Sequence, residues 1–306
     1  MKVIVSGATG LVGRALVRSL LADSHEVTKL VRGGAQEFRA PGTSAVRWDP
    51  DKGEIDAAAL EGHDAAVHLA GEPVAEGRWT EEKKRRIRDS RVLGTALLAD
   101  ALARLNRSPR VLVAASATGF YGDRGPEKLD EESAPGEDFL SRVCREWEEA
   151  ARPAAEAGVR LVHLRIGVVL SGEGGALPKM LAPFKLGLGG RIGGGGQYMS
   201  WVALEDVVGV ARRALEDDSM SGPYNVVAPE PVTNGEFTRA LGRVLNRPTV
   251  FAAPAFALRL VYGEMADALL LSGARVYPKR LLEAGYEFAL PGLEGTLRQA
   301  LGRAAA

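Results

Sequence analysis

The chain has 306 residues, 46% of them hydrophobic and 25% charged, with 39 basic residues balanced by 39 acidic ones. That length allows one large domain or two modest ones with a sizeable core. The zero net charge argues against bulk attraction to nucleic acid or an anionic membrane, and no run approaches the roughly 18 apolar residues of a membrane span. A single cysteine, Cys144, rules out an internal disulfide framework and fits a reducing compartment. Met1-Lys2 leads straight into an apolar run, leaving no room for a leader, so a soluble, cytoplasmic protein is expected.

The first element carries the most information. Lys2 to Ser6 reads as a strand, and Gly7, Gly10 and Gly13 follow at intervals of three before an amphipathic stretch containing Leu11, Ala15, Leu16 and Leu20. Glycines let backbone approach a ligand closely, and the helix that starts there offers unpaired N–H groups and a positive dipole end to a phosphate. The arrangement predicts the first strand, phosphate loop and helix of a dinucleotide-binding domain, with Gly7, Thr9, Gly10, Leu11, Val12 and Gly13 along the cofactor. The spacing is GxxGxxG rather than GxGxxG, and an ordinary strand-turn-helix is the competing reading.

Further short strands are expected at Val27 to Val31, Ala45 to Trp48, Ala65 to Ala70, Arg110 to Ala115 and Arg160 to Leu164. They are near-continuously apolar, as strands covered on both faces should be. Helices are expected between them, notably over Thr80 to Leu105 and Glu137 to Glu156. Alternation with short links predicts a parallel sheet wound on both sides. The basic run Lys83 to Arg88 reads as a solvated helix face, with one or two members able to reach a cofactor phosphate.

The second half changes character. Gly187 to Gly196 reads as a loop throughout, followed by strands at Trp201 to Leu204 and Tyr224 to Val227. Helices are expected over Glu205 to Leu215, Asn234 to Leu245 and Ala255 to Leu271. The predicted architecture is α/β: a doubly wound, parallel-sheet Rossmann domain over residues 1–170, with 198–227 returning to it. Residues 171–306 otherwise form a smaller C-terminal α/β portion covering the substrate.

With these pieces in place the chain resembles the extended short-chain dehydrogenase/reductase superfamily, and within it the atypical, epimerase-like NAD(P)-dependent branch. The motifs that carry the resemblance are Gly7-Ala8-Thr9-Gly10-Leu11-Val12-Gly13, His68-Leu69-Ala70-Gly71-Glu72 and Arg78-Trp79-Thr80. Later come Ser116-Ala117-Thr118-Gly119-Phe120-Tyr121-Gly122, Leu164-Arg165-Ile166-Gly167-Val168-Val169-Leu170 and Trp201 to Asp206, then Gly263-Glu264-Met265-Ala266 with Leu269 to Gly273. The resemblance runs from Met1 to about Leu301.

Cofactor choice turns on the residue that ends the second strand, where an acid suits the ribose 2′-hydroxyl of NAD and an arginine accommodates the 2′-phosphate of NADP. Arg32 stands there without a carboxylate, which favours NADP over NAD, a surface arginine being the alternative. The resemblance implies that Asp49 accepts from the adenine amino group; a turn aspartate before Pro50 is the equal alternative. Leu69, Ala70 and Gly71 should give close backbone approach to the cofactor, and His68 reads as a core histidine.

Active members of the superfamily use a Ser or Thr with a Tyr and a following Lys, the lysine lowering the tyrosine's pKa for proton exchange. Ser116 matches the Ser position, but Phe139 and Val143 stand where Tyr and Lys belong. Tyr121 is the replacement acid/base candidate, with an aromatic packed at the rim as the alternative. Arg165, Arg191 and Gln197 are candidates for the substrate pocket. Four scattered histidines and one cysteine make no metal site.

Two functions follow as expectations. One is an NADP-dependent oxidoreductase or epimerase acting on a small hydroxyl- or carbonyl-bearing substrate, a nucleotide sugar among the classes the resemblance allows. The other is a non-catalytic NADP(H)-binding regulator or scaffold. The resemblance also implies a homodimer as one assembly, paired through the helices of residues 80–105 and 137–156.

Overall fold

The computed structural model describes residues 1–33 and 41–303. In chain order the first half comprises β1 (Lys2–Ser6), α1 (Leu11–Ala22), β2 (Glu26–Val31), β3 (Thr43–Asp49), β4 (Glu54–Ile55), β5 (Ala65–His68), α2 (Glu81–Ala103) and β6 (Val111–Ala117). There follow β7 (Lys128–Leu129), α3 (Phe139–Glu149), α4 (Arg152–Glu156), β8 (Arg160–Ile166) and β9 (Val168–Leu170). The second half continues with α5 (Ala176–Lys185), β10 (Gly190–Ile192), β11 (Tyr198–Met199), β12 (Trp201–Ala203), α6 (Leu204–Glu216), β13 (Gly222–Val226), β14 (Val232–Thr233) and α7 (Asn234–Leu245). It closes with β15 (Phe251–Ala253), α8 (Ala255–Tyr262), α9 (Glu264–Ala266), β16 (Arg275–Val276), α10 (Lys279–Glu283) and α11 (Leu293–Ala300).

Eight strands form the central sheet in the order β13-β8-β6-β5-β1-β2-β3-β4. All neighbours in it run parallel except β3 and β4, which pair antiparallel. The chain winds outward from β1 through β2 and β3, then returns to β5 on the other side. The reversal between β1 and β5 is the switch point at which such sheets open a ligand crevice beyond their carboxyl ends.

Alternation along each strand divides the core. Val3, Val5, Ala65, Val67, Val111 and Val113 pack with Leu16 and Leu20 of α1 and with Val207, Val210 and Ala214 of α6. Ile4, Ala66 and Leu112 point to the opposite face, against Leu98, Ala99 and Leu102 of α2 and Ala151 and Ala154 at the start and in the middle of α4. A third cluster joins Leu177, Leu181 and Phe184 of α5 to Trp201, Phe237, Leu241, Val244 and Leu297.

Three expectations need correction. The expected helix over Glu137 to Glu156 is two helices, broken at Ala150 and Ala151 with Pro153 in the first turn of α4. The helix expected over Ala255 to Leu271 is interrupted at Gly263, whose φ of +61° suits a residue without a Cβ. The glycine-rich stretch also contains a strand: β10 pairs parallel with β15. A Cβ at Gly190 would stand 1.7 Å from the Phe251 carbonyl oxygen, so glycine is what lets these two backbones meet.

Candidate functional site

The glycine loop lies at the switch point, and two of its glycines are required by contact. Gly7 has φ +67°, and a Cβ there would meet the Leu69 carbonyl carbon at 2.6 Å and the Ala70 nitrogen at 2.7 Å. A Cβ at Gly13 would stand 2.1 Å from the Gly7 carbonyl oxygen. The loop is thus pressed between its own helix and the end of β5. Gly10 caps α1 with no side-chain bond, and the first turn of the helix holds no acid. The N–H groups of Leu11, Val12 and Gly13 therefore meet no capping side chain and form the positive end of the helix dipole, as an anion site requires. Arg14 Nη1 donates to the Thr9 carbonyl at 2.9 Å and holds the loop's outer edge.

Ser6, absent from the sequence-based candidates, fastens the other side. Its hydroxyl accepts from the Leu69 N–H at 3.2 Å and bonds His68 Nδ1 at 2.7 Å, linking β1 to β5 just below the loop. His68 is fully buried, edge-on to Trp48 at 5.8 Å, and burial pulls its pKa down to about 4.

Around the loop, Arg32 is exposed at the end of β2, with Nη1 3.8 Å from Asp51 Oδ2. An exposed pair this loose fixes neither partner. Asp49 accepts from Lys52 Nζ at 3.1 Å; that lysine's hydrogen bond holds its carboxyl below the usual range. Lys83 departs from the solvated face expected of the basic run. It is buried and donates to Glu72 Oε1 at 2.8 Å, which depresses the Glu72 carboxyl. Arg85, Arg86 and Arg88 stay exposed.

Ser116, on β6, sits in a buried polar chain. Its hydroxyl donates to Glu148 Oε1 at 2.6 Å, and Arg165 grips the same carboxylate with Nε at 2.8 Å and Nη2 at 2.9 Å. Arg165 Nη1 donates to the Tyr121 hydroxyl at 3.0 Å, which donates to Asn225 Oδ1 at 2.7 Å. The Asn225 N–H in turn donates to Glu131 at 2.9 Å. Burial pushes the Glu148 carboxyl up, but the Arg165 guanidinium more than offsets this and holds it below the usual range. Burial drives the Tyr121 hydroxyl up to about 12, and that side chain has no exposed surface.

Ser116, Tyr121 and Arg165 are therefore brought together, while the other two pocket candidates lie in the β10–β11 segment. Arg191 is exposed. Gln197 Nε2 donates to the Ile192 and Leu270 carbonyls at 3.1 and 2.7 Å, which commits its amide to backbone, tying the loop to the chain near residue 270. Phe139 and Val143 occupy the inner side of α3, Phe139 edge-on to Trp79 at 5.3 Å and Val143 buried. Cys144 is buried, and burial raises its thiol to about 12, which removes it as a nucleophile. Among the described residues no group of His, Cys, Asp and Glu could hold a metal ion, and no helix is long and apolar enough to cross a membrane.

Residues 3–227, which include the glycine cradle, match the profile of the NAD dependent epimerase/dehydratase family. The chain belongs to that family. Residues 253–300 match a second profile, a domain of unknown function designated DUF1731. The epimerase family protein Mb2239 of Mycobacterium bovis is 43% identical over 303 residues, covering 99% of this chain and 97% of that protein. Human epimerase family protein SDR39U1 is 37% identical over 302 residues, covering 98% and 99%. The crystal structure of human SDR39U1 isoform 2 with NADPH superposes with a TM-score of 0.89 at 36% identity, covering 99% of both chains. A Corynebacterium glutamicum structure described as a nucleoside-diphosphate sugar epimerase gives a TM-score of 0.80 at 38% identity, with this chain spanning 58% of it.

Proposed function

We propose that this protein is an NADP(H)-dependent oxidoreductase or epimerase acting on a small substrate that carries a hydroxyl or carbonyl group. The observation that carries the reading is the cradle: Gly7 and Gly13 are packed so closely against backbone that no side chain fits, beneath a helix end free of acids. Arg32 in place of a carboxylate at the end of β2 favours the 2′-phosphorylated cofactor. The NADPH in the human relative's structure agrees with that choice.

The residues assigned to the cofactor are Gly7, Thr9, Gly10, Leu11, Val12 and Gly13 for its phosphates, Arg32 and Asp49 for the adenosine end, and Leu69 to Gly71 for the remainder. When bound, the nicotinamide supplies or removes a hydride. Ser116 handles the substrate's oxygen. A hydroxyl has one proton and two lone pairs, and the Ser116 O–H is already engaged in donating its hydrogen bond to Glu148. It is therefore set to accept from a substrate hydroxyl, orienting an alcohol in preference to polarising a carbonyl. Arg165 keeps Glu148 ionised and so keeps Ser116 in that state. Tyr121 serves as a buttress for Arg165, since a hydroxyl raised to about 12 exchanges protons poorly near neutrality. A nucleotide sugar fits as a substrate class, in line with the description of the Corynebacterium relative.

The second reading, a non-catalytic NADP(H)-binding regulator, draws on one observation: α3 carries Phe139 and Val143 where proton-exchanging groups are expected. The deciding experiment is a nicotinamide-fluorescence titration with NADPH and NADH, followed by turnover on hydroxyl substrates. Arg32→Ala is expected to weaken NADPH about 10- to 100-fold, the worth of a charge-assisted bond, and to leave NADH unchanged. Turnover lost in Ser116→Ala sinks the regulator reading; tight NADPH binding with no turnover on any alcohol sinks the enzyme one.

A further inference from the structure

The exposed apolar surface of this chain is concentrated in one place. Of the nine large hydrophobic side chains that stand exposed among the described residues, all but Leu93 lie at 186–188 or 250–262. The two stretches meet where β10 pairs with β15. Leu186 and Leu188 lead into β10, Val250 and Phe251 lead into and open β15, and α8 starts two residues after it. Val250 is 80% exposed and Leu186 75%, so these side chains project from the surface and line no groove. On α8, Phe256 and Leu260 are one turn apart and share a face. An apolar surface gathered in this way marks an interaction site.

Charge is segregated in the same region. The stretches 174–204 and 237–263 contain no aspartate or glutamate, yet hold Lys179, Lys185, Arg191, Arg239, Arg243, Arg247 and Arg259. Acids from outside reach three of these: Glu76 lies 3.7 Å from Lys179, Glu294 pairs with Arg243, and Asp267 lies 2.8 Å from Arg259. Among the described residues no carboxylate comes within ion-pairing distance of Lys185, Arg191, Arg239 or Arg247. Arg239, Arg243 and Arg247, four apart along α7 and past its end, line a cleft of about 490 Å³. Three residues beyond Arg247 the chain reaches Val250. The zero net charge of the whole chain conceals this asymmetry.

We propose that this face docks on an anionic lipid bilayer. Phe256 and Leu260 enter the acyl boundary beside Val250 and Leu186, while Lys185, Arg239 and Arg247 meet headgroup phosphates. Binding of this kind grows with the apolar area buried and with the attraction to anionic lipid. The charge pattern decides against a second copy, since pairing through a two-fold axis would set the same cations against one another. An amphipathic peptide needs a groove, and side chains this prominent form none. Helix α8 also ends near the carboxyl end of the sheet. A Cβ at Gly263, just after it, would stand 3.4 Å from Nε of Arg78, in the segment that links β5 to α2. Docking through α8 turns that end of the molecule toward the lipid, whether or not the crevice turns over a substrate.

The test is co-sedimentation of the full chain with vesicles of phosphatidylcholine alone or of phosphatidylcholine mixed with phosphatidylglycerol. Wild type is expected to pellet with the mixed vesicles only, and to be released by added salt. Phe256→Ser combined with Leu260→Ser should weaken binding at least about 10-fold. Arg239→Gln combined with Arg247→Gln should weaken it about 30-fold, at about fivefold for each cation near a charged surface. All four positions are exposed, so thermal unfolding of both variants should match wild type. Wild type that ignores the mixed vesicles overturns the proposal, as does binding unchanged in either variant. Dimerisation lost in Phe256→Ser/Leu260→Ser, without vesicle binding, gives the face to a second copy. Capture of polyglutamate lost in Arg239→Gln/Arg247→Gln, again without vesicle binding, gives it to an acidic polypeptide. Either result overturns lipid docking.

Discussion

At Gly13 a single methyl group decides between a formed and a broken loop. Its Cβ would stand 2.1 Å from the Gly7 oxygen and 2.8 Å from the Gly7 carbonyl carbon, both backbone atoms that cannot swing aside. Gly13→Ala is expected to cost about 3 kcal/mol in denaturant unfolding and to abolish NADPH binding. Gly194, where nothing lies within 4 Å and φ is not positive, is the control. Ala there should leave both readouts within about 0.5 kcal/mol of wild type. A Gly13→Ala protein as stable and as tight-binding as wild type would contradict the cradle. The need for glycine at Gly7 and Gly13 was legible in the sequence because the motif sits between an apolar strand and an amphipathic helix. Glu148 and Arg91 escaped notice, although each left a signal. Glu148 lies four residues after buried Cys144, and Arg91 four after buried Ile87, so each is a charge on a helix's inner face. What no spacing could give is the partner: Ser116 and Arg165 for one, and, among the described residues, no carboxylate for the other.

Among the elements, α7 shows how a helix end orders a loop that composition marks as shapeless. Thr233 accepts from the Glu236 N–H at 3.2 Å while Glu236 accepts from the Thr233 N–H at 2.7 Å, a reciprocal capping box. The next residue, Asn234, accepts from the Ile192 N–H at 2.8 Å and donates its own N–H to the Gln197 carbonyl at 2.8 Å. The cap therefore anchors both ends of the 192–197 turn. Thr233→Ala is expected to destabilise by about 1 kcal/mol and to raise hydrogen exchange at Ile192 along with the first turn of α7. Exchange confined to α7 would show that the turn stands without the cap. The long elements were readable because apolar runs and helical spacing repeat over many residues. The pairs β7–β16 and β11–β14, two residues on each side, carry no periodicity and form only when distant backbone arrives. Helix α8 poses the opposite problem. Its residues are mostly apolar, yet none of them is buried, and Phe256 and Leu260 are 73% and 75% exposed.

For the molecule as a whole, the centre of the sheet sets the response to acid. His68 ends β5, between β1 and β6, with no exposed surface, Ser6 on Nδ1 and Trp48 against its ring. Protonating it in place means putting a charge into that core, which is why its pKa falls from 6.5 to about 4. The unfolded chain, whose histidine titrates near the ordinary value, binds the extra proton first. Between pH 6.5 and about 4 the unfolded state therefore holds more protons than the folded one, and stability falls as pH falls through that window. The loss from this one group is about 2 kcal/mol between roughly pH 7 and pH 5, and about 3 kcal/mol once the folded-state pKa is reached. His163, also held low by burial, adds to the decline, while Asp206 and Glu131, raised by burial, act against it. A difference isolates His68 from these. Urea unfolding of wild type and His68→Leu at pH 7 and pH 5 should show a pH-dependent loss about 2 kcal/mol smaller in the variant, whatever the variant's stability at pH 7. Identical pH dependence in the two proteins would mean that His68 is charged, or hydrated, in the folded sheet.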